Sequence, residues 1–203
     1  MSKPKLFGIS GSRALRSIWA IEEVGIDYEH VPVSFGADSK EPTYLAVNPN
    51  GRVPALVDGD LQLFESMAIN MYLAKTYGGA LYPSSAADEA RSWQWTLWGV
   101  SEIEPLQMQI VGQMFFTPEE KRNPRLVEGA TKALQRPLKV LDAALFGREW
   151  LIGKTFSVAD LNLAGVLHLM KMIQFDYSAH SNVQRWADTC YARPALTRAM
   201  AKP

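Results

Sequence analysis

Two serines that follow a short apolar run are the first residues in this chain whose types and spacing could perform chemistry. Ser10 and Ser12 come directly after residues 5–9, in a pattern that indicates a strand, a turn and then a helix over residues 13–24. A hydroxyl at the carboxyl end of a strand, close to a helix start, can donate a hydrogen bond to a bound thiol. That bond favours the thiolate, the reactive nucleophile, by lowering the pKa of the thiol. Ser12 could instead serve only as the N-cap of the helix.

A second candidate site begins at a polar pair, Glu65 and Ser66. From Ser66 onward the apolar residues follow helical spacing, at Ala68, Ile69, Tyr72 and Leu73. The pair therefore lies at a helix N-terminus, where unpaired backbone N–H groups and the helix dipole favour a bound carboxylate. The alternative is that Glu65 and Ser66 only cap the helix in solvent.

The residues before this helix predict a special turn and a hairpin. Pro54 lacks the N–H group that a central strand needs, so it marks a strand beginning or a turn, for which a cis bond is one candidate. A small-residue turn at Asp58 and Gly59 then predicts an antiparallel hairpin that ends at residue 64. We interpret residues 48–72 as the ligand site.

The motif NPNGRVPAL at residues 48–56, followed by a hairpin and ES.AI..YL at residues 65–73, resembles the glutathione-binding half of cytosolic glutathione S-transferases. The opening strand and helix, and SVAD at residues 157–160, extend the resemblance over nearly the whole chain. It points to a bacterial, serine-type or related class. It implies an α/β plus all-α fold, with a thioredoxin-like N-terminal domain built on a mixed four-stranded sheet, followed by an all-helical C-terminal domain.

The resemblance also implies how glutathione is held. The backbone of Val53 is expected to pair with the cysteine backbone of glutathione, and Pro54 is expected to be a cis-proline. Glu65 and Ser66 are expected to hold the γ-glutamyl end. Glutathione is thus a co-substrate, and no metal and no tightly bound cofactor is required.

The serine loop and two basic residues complete the site that the resemblance implies. An ungapped alignment places Ser12 at the serine that contacts the thiol, with Ser10 as the next candidate, and the choice between them stays open. The loop contains no tyrosine or cysteine, so those types of site are not expected. Lys40 falls where plant-type transferases place a basic pair against the glycine carboxylate of glutathione, and Arg52 lies where the family often has glutamine or lysine. An ammonium and a guanidinium both suit a carboxylate. Both could equally be ordinary surface charges.

Composition excludes several other classes of function. The chain has 203 residues, with 21 Lys plus Arg balanced by 21 Asp plus Glu, interspersed along the sequence, so a nucleic-acid partner is not predicted. The N-terminus lacks the features of a targeting signal and no eighteen apolar residues run together, which predicts a soluble, cytoplasmic protein without a membrane partner. Cys190 is the single cysteine, which rules out an intramolecular disulfide and a CxxC centre.

The histidines and the remaining acidic residues predict no further site. His30, His168 and His180 are scattered, without metal-ligand spacing or the pattern of a catalytic triad. Glu102 and Glu104 are two residues apart and so do not share a helical face. Neither group is interpreted as a carboxylate pair or a metal site.

The elements that position these residues form two predicted domains. A βαβ unit with parallel strands, followed by the hairpin, predicts the mixed four-stranded sheet with helices. The composition of residues 78–88 is typical of a linker, so we place a glutathione-binding domain at residues 1–79 and an all-helical domain at residues 86–203. Helices are predicted over residues 88–116, 124–146, 157–174 and 180–191.

The first long helix of the second half is rich in large apolar side chains, namely Trp93, Trp95, Trp98, Met108, Met114, Phe115 and Phe116. They could wall a pocket for an apolar co-substrate. Core packing is the default expectation for residues of these types. Further along, Ser157 and Asp160 have the spacing of a capping box, to which we assign a structural role.

These features predict a glutathione transferase in which the thiolate attacks a small, electrophilic and largely apolar co-substrate. A role in detoxification and a homodimer follow from the resemblance. The alternatives are a glutathione-dependent peroxidase, isomerase or dehalogenase that uses the same site, or a non-catalytic binding or regulatory module.

Overall fold

A computed structural model describes residues 3–203 and divides the chain into two compact units. The first unit contains residues 3–84 together with Ala192–Pro203, and the second contains Ser85–Tyr191. The predicted helical domain extended to residue 203. Residues 192–203 instead pack within the first unit, because the last helix places its apolar side on the first helix of the chain.

The elements follow one another in the predicted order. The strands are β1 (Lys5–Phe7), β2 (Glu29–Val31), β3 (Ala55–Asp58) and β4 (Leu61–Phe64). The α-helices are α1 (Leu15–Val24), α2 (Pro42–Leu45), α3 (Ser66–Tyr77), α4 (Ala86–Trp98), α5 (Glu104–Val111), α6 (Pro124–Ala144), α7 (Val158–Met172), α8 (Ser181–Tyr191) and α9 (Pro194–Met200). Two π-helical segments, Gly99–Ile103 and Gly112–Phe116, flank α5 and make one continuous helical stretch from α4 onward.

The sheet of the first unit has the order β2-β1-β3-β4. β1 and β2 are parallel, whereas β3 is antiparallel to both β1 and β4. The predicted mixed four-stranded sheet is therefore confirmed. In the register between β1 and β3, Phe7 faces Ala55, so the carboxyl end of β1 lies beside the amino end of β3. The loop after β1 carries Ser10 and Ser12, and the loop before β3 carries Val53.

α1 forms the core of the first unit. Ile18, Trp19 and Ile21 are fully or almost fully buried, and both α3 and α9 pack against this helix. The helix ends at Gly25, whose left-handed backbone (φ 72°) donates its N–H to the carbonyl of Ile21, as the sequence predicts. It begins at Leu15 rather than at residue 13, because residues 12–14 form a preceding turn.

The regular elements of the second unit are all helices. They are arranged around α7, which is buried along most of its length. The buried side of α4 and of the π-helical segment that continues it carries small or polar residues, Ser92, Thr96 and Gly99. A Cβ on Gly99 would lie 2.7 Å from Cδ1 of Leu163, and Asn162 donates a hydrogen bond to the hydroxyl of Thr96 at 3.0 Å. The two helices therefore approach closely along a seam of small side chains.

The large apolar residues around α4 and α5 are not core residues, so the default expectation was wrong. None of the seven is buried: Trp95, Trp98 and Met108 are half-buried, and Trp93, Met114, Phe115 and Phe116 are exposed. The small-residue seam takes the inward side of the helix, and the bulky side chains consequently lie on the other sides. Over residues 3–203, no helix combines the length and the apolar character needed to cross a membrane.

Candidate functional site

The serine loop is a tight turn stabilised by its own polar groups. The N–H of Ser12 donates to the carbonyl of Ile9 at 3.1 Å, and its hydroxyl donates to the same carbonyl at 2.8 Å. The N–H of Ala14 in turn donates to the hydroxyl oxygen of Ser12 at 3.1 Å. Ser12 thus stabilises the turn that leads into α1, which is close to the capping role weighed from the sequence, and it remains half-buried at the surface.

Ser10 makes a different set of contacts. Its N–H donates to the backbone oxygen of Pro203 at 2.8 Å, and its hydroxyl donates to the backbone oxygen of Lys202, also at 2.8 Å. The two candidate serines are therefore not equivalent. The polar groups of Ser12 are engaged within the loop, whereas those of Ser10 bind a segment almost two hundred residues further along the chain.

Gly8 joins the serine loop to the turn before β3. A side chain on Gly8 would overlap the Cβ of Ala14 and lie 3.3 Å from the Cβ of Val53, and its backbone has φ 132°. Only glycine permits both this conformation and this close approach. Nε2 of His30 lies 2.7 Å from the carbonyl oxygen of Gly8, which fixes the peptide from the β2 side. The loop and Val53 are consequently immediate neighbours.

The peptide bond between Val53 and Pro54 is cis, as the resemblance implies. Pairing in the β3 ladder starts at Ala55, so the backbone of Val53 lies beyond the last paired residue of this strand. Pro54 itself is buried, whereas Val53 is half-buried. Val53 thus precedes a central strand that pairs with both β1 and β4, and its own backbone lies outside both ladders.

The residue before Val53 is held by two side chains that the sequence analysis missed. The backbone oxygen of Arg52 accepts hydrogen bonds from the hydroxyl of Tyr44 and from Nδ2 of Asn48, both at 2.6 Å. Oδ1 of Asn48 accepts from the N–H of Asn50 at 3.1 Å, so one buried amide organises the whole turn. Asparagine is typical of turns, which is a usable signal for Asn48. No comparable signal marks Tyr44.

Tyr44 acts here as a neutral donor. Burial raises the pKa of Tyr44 to about 12, while its contact with Asn48 has the smaller and opposite effect. Its ring packs against Phe7 at a centroid distance of 5.9 Å, in a small apolar cluster that includes Val33 and Ala55. The phenol therefore stays protonated near neutral pH and links the core of the sheet to Arg52.

The two predicted basic residues lie close in the fold but differ in what they contact. The ammonium of Lys40 donates to the carbonyl oxygen of Gly51 at 2.8 Å and lies 3.4 Å from that of Asn50, so it is already engaged with the turn. Arg52 is exposed, and within residues 3–203 its guanidinium forms no ion pair. Arg52 is thus the more available cation for a bound carboxylate.

The predicted helix start at Ser66 is confirmed, since α3 begins there. Glu65 precedes it with φ 71° and ψ 110°, a sparsely populated backbone conformation for a residue other than glycine, which costs on the order of 1–3 kcal/mol. No side chain caps the helix, so its first N–H groups are available to an anion. Ser66 is buried, and its backbone oxygen lies 3.4 Å from the hydroxyl of Ser17 on α1.

The structure thus gathers all eight predicted residues into the first unit: Ser10, Ser12, Lys40, Arg52, Val53, Pro54, Glu65 and Ser66. Among residues 3–203, no three His, Cys, Asp or Glu side chains are grouped as metal ligands would be. The arrangement combines hydroxyl donors, a backbone segment at Val53 outside the β-ladder, an exposed guanidinium and an uncapped helix N-terminus. These groups suit a small peptide that carries a thiol and carboxylates.

Comparison with known proteins decides the family. Residues 2–75 match the family model described as "Glutathione S-transferase, N-terminal domain", and residues 103–194 match "Glutathione S-transferase, C-terminal domain". The chain belongs to the glutathione S-transferase family. The predicted site lies wholly within the segment that matches the N-terminal domain of these transferases.

Individual relatives agree along nearly the full length of the chain. The chain is 32% identical to "Glutathione S-transferase 4" of Zea mays, over 90% of this chain and 85% of the relative. It is 30% identical to "Glutathione S-transferase GstB" of Escherichia coli K12, over 98% of both. The crystal structure of a theta class glutathione S-transferase from Xanthomonas axonopodis pv. citri, with glutathione bound, matches with a TM-score of 0.89 and 31% identity. That match covers 100% of this chain and 99% of the other, and it confirms the thioredoxin-like domain followed by a helical domain.

Proposed function

We propose that this glutathione transferase binds glutathione along the backbone of Val53 and activates its thiol with a serine hydroxyl. The supporting observation is the junction at Gly8, which makes the serine loop and Val53 immediate neighbours. A tripeptide whose cysteine backbone pairs with Val53 would carry its thiol toward that loop. The thiolate then attacks a small, electrophilic and largely apolar co-substrate.

The two ends of glutathione have separate partners in this proposal. The γ-glutamyl carboxylate binds at Glu65 and Ser66, where α3 has no side-chain cap and its N–H groups point outward along the helix axis. The glycine carboxylate pairs with the exposed guanidinium of Arg52, while Lys40 stabilises the turn that presents Arg52. The observation that several relatives were solved with glutathione bound supports the same ligand here.

Activation depends on one hydrogen bond to sulfur. A free thiol with a pKa of about 8.5 is mostly protonated at neutral pH, and a hydroxyl donor favours its thiolate. Ser12 is the better candidate, because its hydroxyl hydrogen can turn from the carbonyl of Ile9 toward sulfur without any change elsewhere in the fold. The protein supplies orientation and a stabilised anion, and glutathione supplies the nucleophile.

The first experiment is calorimetric titration of the protein with glutathione, beside Arg52→Ala, Ser66→Ala and the control Arg136→Ala. Arg136 is an exposed arginine of α6 in the other unit, so it matches the change in charge. We expect micromolar to millimolar binding that weakens in the first two variants and not in the control. Absence of binding by the wild-type protein would overturn the proposal. Binding without turnover of any activated aryl chloride or unsaturated carbonyl would instead favour a non-catalytic module.

Homodimer formation belongs to the same proposal. Trp93, Leu97 and Val100 lie along one exposed side of α4 and the π-helical segment that continues it, at 40%, 61% and 39% exposure. Apolar stripes of this kind are commonly buried in symmetric contacts between copies. Light scattering on the wild-type protein and Leu97→Glu tests this, with a dimer expected for the first and a monomer for the second. We also assign the protein to the cytoplasm and to detoxification, which fractionation of cells and a growth assay with electrophiles would test.

A further inference from the structure

The chain segment at residues 193–203, here called the strap, belongs to the first unit and ends at the serine loop. Its helix α9 buries Ala195, Leu196 and Ala199 in the first unit, where it packs on α1. The residues after α9 then accept both hydrogen bonds that Ser10 donates, one at Lys202 and one at Pro203, each at 2.8 Å. The strap therefore holds the loop that carries the candidate thiol donor.

The hydrogen bonds of Ser10 and Ser12 differ in which contact must break before either hydroxyl can donate to a thiol. A hydroxyl has a single hydrogen to donate. While the hydroxyl of Ser10 donates to Lys202, it cannot donate to sulfur. The hydroxyl of Ser12 donates to the carbonyl of Ile9, three residues before it, so its rotation toward sulfur breaks only a contact within the loop.

Arg193 binds the beginning of the strap to Glu23, near the end of α1. Arg193 forms a paired contact with Glu23, at 2.6 Å from Nε to Oε1 and 2.8 Å from Nη2 to Oε2. Oε1 of Glu23 also accepts the indole N–H of Trp19 at 3.0 Å, and the Glu23 side chain is only 8% exposed. A two-point contact between partly buried planar groups fixes direction as well as distance. The first residue of the strap, Arg193, is thus held against Glu23 by two hydrogen bonds.

The far end of the strap is fixed by Glu22. Oε2 of Glu22 accepts from Nε of Arg198 at 2.9 Å, and its Oε1 lies 3.4 Å from the ammonium of Lys202. The same Oε1 accepts the hydroxyl of Tyr28 at 2.8 Å, and the Lys202 ammonium lies 5.4 Å from the centre of the Tyr28 ring. Lys202 is therefore held by its side chain while its backbone oxygen holds Ser10.

We propose that Ser10 and Lys202 are positioning residues, through which Glu22 and the strap fix the serine loop so that the hydroxyl of Ser12 is presented to the glutathione thiol. This inference rests on the proposed function. It assigns the two serines different roles, one as the thiol donor and the other as the anchor of the loop. It also gives the last residues of the chain a part in the chemistry of the first unit.

The test measures the pKa of the bound glutathione thiol, from the ultraviolet absorbance of the thiolate against pH, in Ser10→Ala and Glu22→Gln. The control is Glu29→Gln, which makes the same change of charge at an exposed carboxylate of the same unit, the partner of Lys5 at 3.0 Å. We expect the first two variants to raise the pKa of the bound thiol and to lower kcat by about tenfold, since a small misplacement of a reacting group is costly. The dissociation constant for glutathione should change by less than about threefold, and the control should match the wild-type protein.

A double-mutant cycle separates positioning from general damage to the fold. If the strap acts through Ser12, then Glu22→Gln in a Ser12→Ala background leaves the pKa of the bound thiol where Ser12→Ala alone puts it. Additive shifts would overturn the inference. Retention of the low thiol pKa in Ser12→Ala, with its loss in Ser10→Ala, would overturn it as well, because Ser10 would then be the donor.

A measurement without ligand keeps this inference distinct from the proposed function. Hydrogen exchange at the amides of residues 9–14 is followed in the wild-type protein, Arg198→Met and Glu29→Gln. Faster exchange in Arg198→Met alone supports the mechanical link between strap and loop, even if glutathione does not bind. Unchanged exchange overturns it, even if the protein is an active transferase.

Discussion

Gly8 and Val53 lie so close that a side chain on the glycine would stand 3.3 Å from the Cβ of the valine. This approach brings together two loops whose contacting residues are 45 positions apart in the sequence. One loop carries Ser12, the candidate thiol donor, and the other carries Val53, whose backbone is proposed to pair with glutathione. The predictions that follow test this junction, the residues around it and the stability of each unit.

Gly8→Ala should impair both folding and binding. The new methyl group overlaps Ala14, and alanine rarely adopts φ 132°, so we expect a loss of about 2–4 kcal/mol in the free energy of unfolding. Gly11→Ala is the matched control in the same loop, because the nearest neighbour of its new methyl group would be Cδ1 of Ile9 at 3.9 Å. Urea unfolding and glutathione titration measure both effects. Equal stability of the two variants would contradict the steric argument.

Ser12→Ala should separate chemistry from binding. Removal of one preorganised donor to a developing or stabilised anion lowers kcat by about a hundredfold or more, whereas the contacts of both ends of glutathione remain. We expect the dissociation constant for glutathione to stay within about threefold of the wild-type value. Steady-state kinetics and calorimetry on the same preparation provide the comparison. A variant with unchanged kcat would exclude Ser12 as the thiol donor.

Asn48→Ala should destabilise the turn before Val53 by about 2–3 kcal/mol, because it removes a buried amide that donates to Arg52 and accepts from Asn50. Tyr44→Phe removes only the second donor to the same carbonyl and should cost about 1 kcal/mol. Both variants should weaken glutathione binding, with Asn48→Ala the more severe. The reverse order in urea unfolding would show that Tyr44 rather than Asn48 organises the turn.

Asp160→Ala should be among the most destabilising single changes in the helical unit. The carboxylate accepts from the N–H and the hydroxyl of Ser157, from the N–H of Leu151 at 2.9 Å and from the indole of Trp186 at 2.9 Å. Its removal leaves buried donors unsatisfied, so we expect a cost of about 3–5 kcal/mol, well above the loss of a helix cap alone. Calorimetric unfolding provides the value. Asp142→Ala, which removes the partly exposed carboxylate that caps α8, is the comparison and should cost less.

The contribution of Glu22 should disappear in acid. Burial raises the pKa of Glu22, but the hydrogen bonds from Arg198 and Tyr28 and the charge of Lys202 outweigh it, so the pKa lies below its ordinary value of 4.5. A depressed folded-state pKa gives stability that is present above the unfolded pKa and is lost as pH falls through the folded one. The wild-type protein should therefore exceed Glu22→Gln in the free energy of unfolding at neutral pH, and this difference should shrink as the pH falls below 4.5. A constant difference across this range would refute the assignment.

Local signals were enough to predict much of the first unit. A small-residue turn and the change to helical spacing at Ser66 each act over a few residues, so the hairpin and the start of α3 were accessible from sequence. The proline in an apolar run left the cis bond as one candidate, and the family resemblance implied it. The partners of Ser10 were not accessible from sequence, because nothing near Ser10 or Lys202 indicates that residues 192 positions apart will meet. The last helix was assigned to the wrong unit for the same reason.

Side-chain type misled the prediction in the second unit. Tryptophan, methionine and phenylalanine are usually buried, and this led us to expect core packing around α4 and α5. The buried positions instead go to Ser92, Thr96 and Gly99, because a close helix contact requires small groups. A repeat of small residues at helical spacing was present in the sequence and was the more informative pattern.

The residues of the seam between α4 and α7 cannot be enlarged without disturbing the fold of the helical unit, whereas the exposed side chains outside the seam can be replaced. Met114, Phe115 and Phe116 are exposed, so their replacement alters an outer apolar surface without opening a cavity. Mutations that reshape this surface therefore have a low cost in folding. Substitutions at this surface can therefore accumulate by neutral drift, before selection favours any one co-substrate.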